Sequence, residues 1–259
     1  MRLLMIGDIV GRPGRLAVKA NLSGLKREFN LDLVIANGEN AAGGNGITRE
    51  VAQELFLSGV DVLTMGNHVW NKKEALDYID HEERIVRPAN YPPGAPGLGF
   101  NVYKTFRKVK VAVINLAGRV FLEALDCPFR KADELVARVK EQAKVIVVDF
   151  HAEATSEKVA MGWYLAGRVS AVCGTHTHVQ TADERILPGG TAYITDLGMT
   201  GPWNSVIGAK KEIVIDRFIT QLPLRIEAAT GLFQFNGVVI DIDEETGEAA
   251  AIQRIQNYE

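Results

Sequence analysis

Short apolar runs alternate with helical apolar spacing along the N-terminal part of the chain. Within Arg15–Phe29, for example, Leu22, Leu25 and Phe29 recur at the spacing of one helix face. Thr48 has the character of an N-cap, and Asn71 and Glu74 have the spacing of a capping box. The predicted strands are Arg2–Gly7, Leu31–Ala36 and Val60–Met65, and the predicted helices are Arg15–Phe29, Thr48–Ser58 and Asn71–Tyr78. Such strand–helix alternation predicts a parallel sheet.

A loop dense in proline and glycine, Arg87–Gly99, separates this part from the next. A hairpin is then predicted from Phe100–Phe106 and Val109–Leu116, after which strand and helix alternate again. The remaining predicted elements are the helices Ala132–Gln142 and Ser156–Ala166, the strands Val145–Phe150 and Val169–Cys173, and an antiparallel group of Thr191–Thr195, Leu222–Glu227, Phe233–Ile242 and Ala249–Gln256. We expect an α/β protein with mixed sheets, folded as one domain over residues 1–259.

The composition is that of an ordinary globular enzyme, with 47% apolar and 24% charged residues among 259. A net charge of −3 gives no support for a broad nucleic-acid-binding surface. The two cysteines, Cys127 and Cys173, form no disulfide framework, and Cys173 is expected in the core. Because no segment approaches the roughly 20 apolar residues of a membrane span, we expect a soluble, cytoplasmic protein without a membrane partner.

The histidines are the strongest functional signal. The chain has five, and four of them follow predicted strands: His68, His151, His176 and His178. Asp8 and the pair Glu39–Asn40 stand at strand ends of the same kind. Because the carboxyl ends of parallel strands open onto one edge, these side chains are expected to converge. Buried carboxylates and imidazoles need partners, so the convergence predicts bound cations and a two-metal hydrolytic site.

The donor types bear on which metals fit. His176 and His178, two residues apart in an extended segment, can point at one site. Asparagine is rare in structural zinc sites, so Asn40 and Asn67 favour iron or manganese, with zinc as an alternative. Taken singly, either asparagine could be a turn residue, and Asp8 could cap the following helix. The glycines around Asp8 match neither a dinucleotide-binding fingerprint nor a P-loop.

Together these motifs resemble the calcineurin-like metallophosphoesterases. The order is Asp8, Glu39–Asn40, Gly66–Asn67–His68, His151 and Gly174-x-His176-x-His178. Residues 39–44, 149–158 and 199–202 are similar to the YmdB-type phosphodiesterase branch. The resemblance implies a four-layer α/β/β/α sandwich with two mixed β-sheets and a binuclear metal centre. It also implies phosphodiester hydrolysis, with 2′,3′-cyclic nucleotides as the substrates.

The chain departs from the wider superfamily at three positions. Val10 stands where most members carry a histidine ligand, Glu39 replaces a bridging aspartate, and Val69 replaces an acidic residue. We expect Asn40 to fill the position left by Val10. One metal is then assigned to Asp8, Glu39, Asn40 and His178, and the other to Glu39, Asn67, His151 and His176.

In the expected mechanism, a hydroxide activated by both metals attacks phosphorus. His68 has no assigned metal and is the candidate general acid, with a supporting role for Asn67 as the alternative. Glu153, Thr155, Ser156 and Arg12 are further candidates for the pocket without assigned roles.

Two other functions stay open from the sequence: a phosphomonoesterase of the same fold, and a nucleotide-binding regulatory protein with little turnover. RNA ends are alternative substrates, and a homo-oligomer is compatible with the sequence.

Overall fold

The computed structural model describes residues 1–258 of the chain. Within that range the helices are α1 (Gly11–Phe29), α2 (Arg49–Leu57), α3 (Ala75–Tyr78), α4 (Pro128–Lys140), α5 (Thr155–Leu165) and α6 (Lys211–Thr220). The strands are β1 (Arg2–Ile6), β2 (Asp8–Ile9), β3 (Leu33–Asn37), β4 (Val62–Thr64), β5 (Ile85–Val86), β6 (Phe100–Lys104), β7 (Lys110–Ala117), β8 (Val145–His151), β9 (Ala171–Thr175), β10 (Arg185–Leu187), β11 (Thr191–Ile194), β12 (Met199–Pro202), β13 (Phe233–Ile242) and β14 (Ala249–Tyr258).

The strands form two mixed sheets. The eight-stranded sheet has the order β2-β12-β13-β1-β3-β4-β5, and β14 also pairs with β13. Its centre is parallel from β1 through β3 to β4, whereas β13 runs antiparallel to β1. The six-stranded sheet has the order β10-β11-β9-β8-β7-β6 and is parallel from β7 to β11.

Three buried apolar clusters separate four layers. The cluster between the sheets contains Met5 and Ile35 from one sheet and Val113 and Val147 from the other. A second cluster packs α1 and α2 on the outer face of the eight-stranded sheet. A third cluster packs α4 and α5 on the outer face of the six-stranded sheet. The four-layer α/β/β/α prediction is therefore confirmed.

Most predicted elements are present, with shifted ends. The Oγ1 atom of Thr48 accepts a hydrogen bond from the Val51 amide at 3.3 Å, which confirms Thr48 as the N-cap of α2. Helices α1 and α4 begin about four residues earlier than predicted, each with a proline in its first turn, a position that suits the fixed φ of proline. Cys173 is fully buried, as predicted, and His81 is exposed.

The predicted capping box at Asn71 and Glu74 is wrong. The Asn71 amide donates to Asn45 Oδ1 at 2.6 Å, and α3 has no side-chain cap. Glu74 instead accepts a hydrogen bond from the Arg49 amide at 2.9 Å, at the N-terminus of α2. The Glu74 carboxylate therefore contacts the N-terminus of α2, whereas the local spacing had placed it in the cap of its own helix.

The predicted C-terminal antiparallel group is only partly correct. Strands β13 and β14 form the predicted antiparallel pair. Thr191–Ile194, however, pairs in parallel with β9 in the six-stranded sheet, and Leu222–Glu227 joins no sheet. No helix within residues 1–258 has both the length and the apolar content to cross a bilayer. The cytoplasmic location stays a prediction.

Candidate metal centre

All eight side chains singled out in the sequence meet at one edge of the two sheets. Asp8 opens β2, Glu39 and Asn40 follow β3, and Asn67 and His68 follow β4. From the other sheet, His151 ends β8, and His176 and His178 follow β9. The predicted convergence is therefore present in the fold, and short contacts between side chains join the eight residues into one group.

His151 is the centre of the first half of this group. Its Nε2 atom lies 3.1 Å from Glu39 Oε1, 3.1 Å from Asn67 Oδ1 and 3.0 Å from His176 Nδ1. One proton on Nε2 cannot satisfy three acceptors at once. Ligand atoms of Glu39, His151 and His176 all lie within 4.8 Å of one another, which is a spacing that a single cation can join.

The second half consists of Asp8, Asn40 and His178. His178 Nε2 lies 3.7 Å from Asp8 Oδ1 and 3.3 Å from Asn40 Nδ2. Asp8 is fully buried, and its Oδ1 atom has no hydrogen-bond partner among the described residues. A buried carboxylate oxygen without a partner is costly, and a cation would satisfy it. The Asn40 oxygen points to His68, so ligation by Asn40 requires its amide to turn over.

Glu39 connects the two halves. Its Oε1 atom lies 3.2 Å from Asn40 Nδ2 as well as beside His151, and its Oε2 atom accepts from the His68 backbone amide at 3.0 Å. Gly66 leaves the space that this arrangement needs, because a Cβ atom there would overlap Glu39 Oε2 and His151 Nε2. Only glycine at this strand end lets the carboxylate and the imidazole meet.

The electrostatics agree with a site built for positive charge. Burial opposes ionisation of Glu39, yet His151 and His68 outweigh burial and lower the pKa of Glu39 to about 2. Burial likewise opposes protonation of His151, but Glu39 and Asp8 raise its pKa to about 9. Burial raises the pKa of Asp8 to about 6. Burial and the neighbouring His151 lower the pKa of His176 to about 3.

A second group of buried polar residues supports His151 from behind. Thr175 Oγ1 lies 2.9 Å from His151 Nδ1 and donates to Asp149 Oδ1 at 2.7 Å. Asp149 also accepts from Thr64 and Asn37, and burial raises its pKa. Such contacts fix the ring orientation of a ligand histidine. This role of Asp149 was not predicted from the sequence, although an aspartate inside the apolar run Val145–Phe150 is a usable signal.

A buried ion pair fixes the loop that carries the other two histidines. Lys158 Nζ lies 2.6 Å from Asp196 Oδ2, and both side chains are buried. Asp196 also accepts from the amide and the hydroxyl of Thr177, at 3.1 and 2.7 Å. His176 and His178, on either side of Thr177, have φ values of 101° and 66°, which are rare for side-chain-bearing residues. The Lys158–Asp196 pair was also not predicted from the sequence.

His68 differs from the other histidines of the site in its exposure. Its side chain is 34% exposed, whereas that of His151 is fully buried. The Nδ1 atom of His68 lies 2.9 Å from Asn40 Oδ1, which leaves Nε2 free of these contacts.

The structure also bears on two other interpretations of the sequence, the capping role of Asp8 and the place of Glu153 in the pocket. Asp8 does not cap α1, whose N-cap is Val10 without a side-chain bond, and Glu153 lies 3.2 Å from His176 Nε2.

The donor set fits two cations. Three features match a metal-binding pocket better than a polar cluster whose members satisfy one another. They are the unpartnered oxygen of Asp8, the crowded Nε2 atom of His151 and the space left at Gly66. Carboxylate, imidazole and amide groups are all donors that bind metal ions in proteins.

The model of the family of YmdB-like proteins matches residues 4–255 of this chain. The chain belongs to the YmdB-like family. It is 55% identical over 255 residues to the 2′,3′-cyclic-nucleotide 2′-phosphodiesterase of Bacillus subtilis strain 168, a match that covers 98% of this chain and 96% of that protein.

Solved structures of family relatives agree with the fold. A protein of Thermus thermophilus, 44% identical, superposes with a TM-score of 0.94 and full coverage of both chains. A protein described as a novel phosphatase of Mycoplasma pneumoniae, 37% identical, also gives a TM-score of 0.94 and covers 100% of this chain and 93% of that one. The resemblance stated from the motifs is thereby confirmed.

Proposed function

We propose that this chain is a binuclear metal-dependent phosphodiesterase that hydrolyses 2′,3′-cyclic nucleotides. The observation that carries the proposal is the shared carboxylate of Glu39, which joins two groups of nitrogen and oxygen donors at one sheet edge. The B. subtilis relative, a 2′,3′-cyclic-nucleotide 2′-phosphodiesterase that is 55% identical over nearly the whole chain, supports the diester as substrate.

We assign the ligands in two sets that share Glu39. Asp8, Asn40 and His178 would complete one set, and Asn67, His151 and His176 would complete the other. Two divalent ions bound there would supply Lewis acidity toward the phosphate oxygens and promote loss of a proton from the attacking water. Asp8 and Glu39 contribute two negative charges, which is too few to neutralise two divalent ions. The pocket therefore keeps a positive charge that attracts an anionic phosphodiester.

His68 is assigned to the leaving group. His68 Nδ1 lies beside the Asn40 side-chain amide, so Nε2, which makes no such contact, is the atom that exchanges a proton with solvent or substrate. In the reaction, an oxygen of water forms a bond to phosphorus and one ribose oxygen leaves. His68 gives its Nε2 proton to that ribose oxygen, and the water proton is released. A partly exposed imidazole beside the site suits this transfer.

One observation favours a second candidate function. The M. pneumoniae relative is described as a phosphatase, so a monoester is the alternative substrate class. The same donors could bind a phosphomonoester, and a regulatory protein could bind a nucleotide and barely convert it. A substrate panel separates the three: 2′,3′- and 3′,5′-cyclic nucleotides, short RNA with a 2′,3′-cyclic end, and p-nitrophenyl phosphate beside its bis ester.

The test uses protein loaded with iron or manganese, with metal content measured by elemental analysis. We expect turnover of the 2′,3′-cyclic nucleotide to exceed that of every other substrate in the panel. His68→Gln should keep its metals and lose about 10²–10⁴ in kcat. His81→Gln is the matched control, because His81 is an exposed histidine outside the site, and it should keep full activity.

Three results would each contradict one part of the proposal. Metal-loaded protein that leaves all diesters intact is not a phosphodiesterase. Full turnover by His68→Gln would instead remove His68 from the mechanism and leave the substrate assignment in place. Glu39→Gln should lose metal; two retained ions would exclude the shared-ligand role.

A further inference from the structure

A cavity lies beside the candidate metal centre, between the loop that follows β12 and the last two strands. Its volume is about 460 Å³, which is within the usual range of ligand pockets. The wall includes one imidazole, two aromatic rings and several amide side chains, among them His178, Trp203, Tyr258, Gln180, Asn236 and Gln256. Because His178 is an assigned metal ligand, the cavity adjoins the place where we put the phosphate.

The imidazole ring of His178 contacts both places. Its Nε2 atom lies 3.7 Å from Asp8 Oδ1 and 3.3 Å from Asn40 Nδ2, on the side of the metal centre. Its Nδ1 atom lies 2.8 Å from the carbonyl oxygen of Ile207, a residue that lines the cavity. The metal centre and the cavity are thus one imidazole ring apart, so a molecule of nucleotide size can occupy both.

The cavity and the centre differ in charge. None of the lining residues of the cavity, all of which lie within residues 1–258, is Asp, Glu, Lys or Arg. The adjoining centre contains the carboxylates of Asp8 and Glu39 and fits two cations. An uncharged cavity suits a neutral group, whereas the metal centre suits an anion. A nucleotide has both parts, because ribose joins its neutral base to its anionic phosphate.

Trp203 and Tyr258 give the cavity a surface on which a flat ring can stack. Their ring centroids are 6.4 Å apart, and the ring planes meet at 80°. The two residues are 53% and 54% exposed, so much of each ring is open to a ligand. Aromatic side chains bind all four bases in this way, since every base has a π-face.

Amide side chains supply hydrogen-bonding groups beside these rings. The side-chain nitrogens of Gln180 and Asn236 donate to backbone carbonyls, at 3.1 and 2.9 Å. Their oxygens, Gln180 Oε1 and Asn236 Oδ1, are buried without a hydrogen-bond partner in the part of the chain that the structure describes. An unpaired buried acceptor is costly, and the amino groups of adenine, cytosine and guanine are donors. The exposed side chain of Gln256 can both donate and accept.

We propose that this cavity, which we call the base pocket, binds the nucleobase of a 2′,3′-cyclic nucleotide while the cyclic phosphate lies at the metal centre. The base stacks on Trp203. This inference rests on the proposed function and deepens it, because it makes Trp203 the residue that selects nucleotides over cyclic phosphates without a base.

The first test compares 2′,3′-cyclic AMP with methyl riboside 2,3-cyclic phosphate, which has the same ribose and cyclic phosphate but no base. The readout is kcat/KM, which includes the contacts of the base whether they act in binding or in turnover. Wild type should prefer the cyclic nucleotide. Trp203→Ala should lower kcat/KM for cyclic AMP by roughly 5–100-fold, the loss expected when one base loses its stacking partner, and leave the base-free substrate unchanged.

Two further variants separate stacking from a structural effect, with folding checked by circular dichroism. Trp203→Phe keeps an aromatic ring and should retain most of the preference for cyclic AMP. Phe106→Ala is the matched control, because Phe106 is a 78% exposed aromatic residue in the turn before β7, at the opposite sheet edge from the centre. It should have wild-type kcat/KM on both substrates.

Equal kcat/KM of wild type for the two substrates overturns the base pocket, and so does a Trp203→Ala variant that keeps its preference for cyclic AMP. Equal losses on both substrates would mean that Trp203 has only a structural role, which also overturns it.

A binding measurement distinguishes failure of the base pocket from failure of the proposed function. Adenosine 3′-phosphate, titrated into metal-loaded protein by calorimetry, should bind to wild type and bind roughly 5–100-fold more weakly to Trp203→Ala. If no cyclic nucleotide is hydrolysed but this difference is present, the proposed function fails and the base pocket stands. If the two proteins bind the nucleotide equally, the base pocket fails whatever the turnover.

Discussion

At the scale of single residues, the site depends on a glycine at position 66. Gly66 has no Cβ, and the space thus left is where Glu39 and His151 come within 3.1 Å of each other. Any larger residue would separate the two groups that we assign to one metal. The effect would be local, because Gly66 lies beyond the end of β4 and the core neighbours of that strand would not change.

Gly66→Ala should therefore lose metal affinity and turnover by about 10–100-fold while the protein stays folded. Elemental analysis and the cyclic-nucleotide assay measure the two losses. Gly24→Ala is the control, since no atom lies within 4 Å of a Cβ at that position in α1, and alanine should stabilise the helix by about 0.5–1 kcal/mol. If Gly66→Ala retains both metals and full turnover, the space at Gly66 has no role in the centre.

The residues that point into the site could be found in the sequence, whereas those that hold them could not. Polar side chains at the ends of apolar strands, such as His151 and Glu39, can be recognised because the carboxyl ends of parallel strands lie at the same sheet edge. Lys158 and Asp196, by contrast, are far apart in the sequence and pair only in the folded chain. Nothing in a single sequence shows that a particular lysine will be buried beside a particular aspartate.

At the scale of elements, the buried Lys158–Asp196 ion pair joins α5 to the loop after β11 and holds the segment that carries two of the assigned ligands. Lys158 belongs to the first turns of α5, and Asp196 binds the Thr177 segment between His176 and His178. The helix thereby positions two assigned ligands without touching them. Removing one partner would leave a buried carboxylate with too few donors.

Lys158→Met should lower the free energy of unfolding by about 3–5 kcal/mol, which urea denaturation would measure. The control is Lys131→Met on α4, because the Lys131–Glu134 pair is exposed and its loss should change stability by no more than about 1 kcal/mol. Equal effects of the two substitutions would contradict a structural role for the buried pair.

The elements that the sequence predicted well are those with buried cores. Strands such as β3 and β8 are continuous apolar runs buried on both faces, which is a strong signal. Helix α6 was not predicted, and it differs from the other helices in that none of its residues is buried. Leu222–Glu227 alternates like a strand, yet it joins no sheet.

At the scale of the whole molecule, the candidate centre joins the two sheets. Asp8, Glu39, Asn40 and Asn67 come from the eight-stranded sheet, and the three histidines 151, 176 and 178 come from the six-stranded sheet. Ions bound to both sets would connect layers that otherwise meet through an apolar core. Unfolding would separate the ligands, so binding should favour the folded state over the unfolded one.

Metal should therefore raise the melting temperature. At a free metal concentration of about 100 times Kd, the gain in free energy is about 2.7 kcal/mol, or roughly 5–10 °C for a chain of this size. Scanning calorimetry with iron or manganese against a chelator measures the shift. Glu39→Gln, which lacks the shared carboxylate, should show little or none of it.

The gain should also depend on pH with a definite sign. The pKa of Asp8 is raised to about 6 and that of His151 to about 9, so without metal both groups stabilise the fold in their protonated forms and lose that contribution as pH rises. Metal binding needs both groups deprotonated, because a proton and a metal compete for the same lone pair. The metal-dependent shift should consequently grow from pH 5 to pH 8. A shift that is larger at pH 5 would mean that neither Asp8 nor His151 is a ligand.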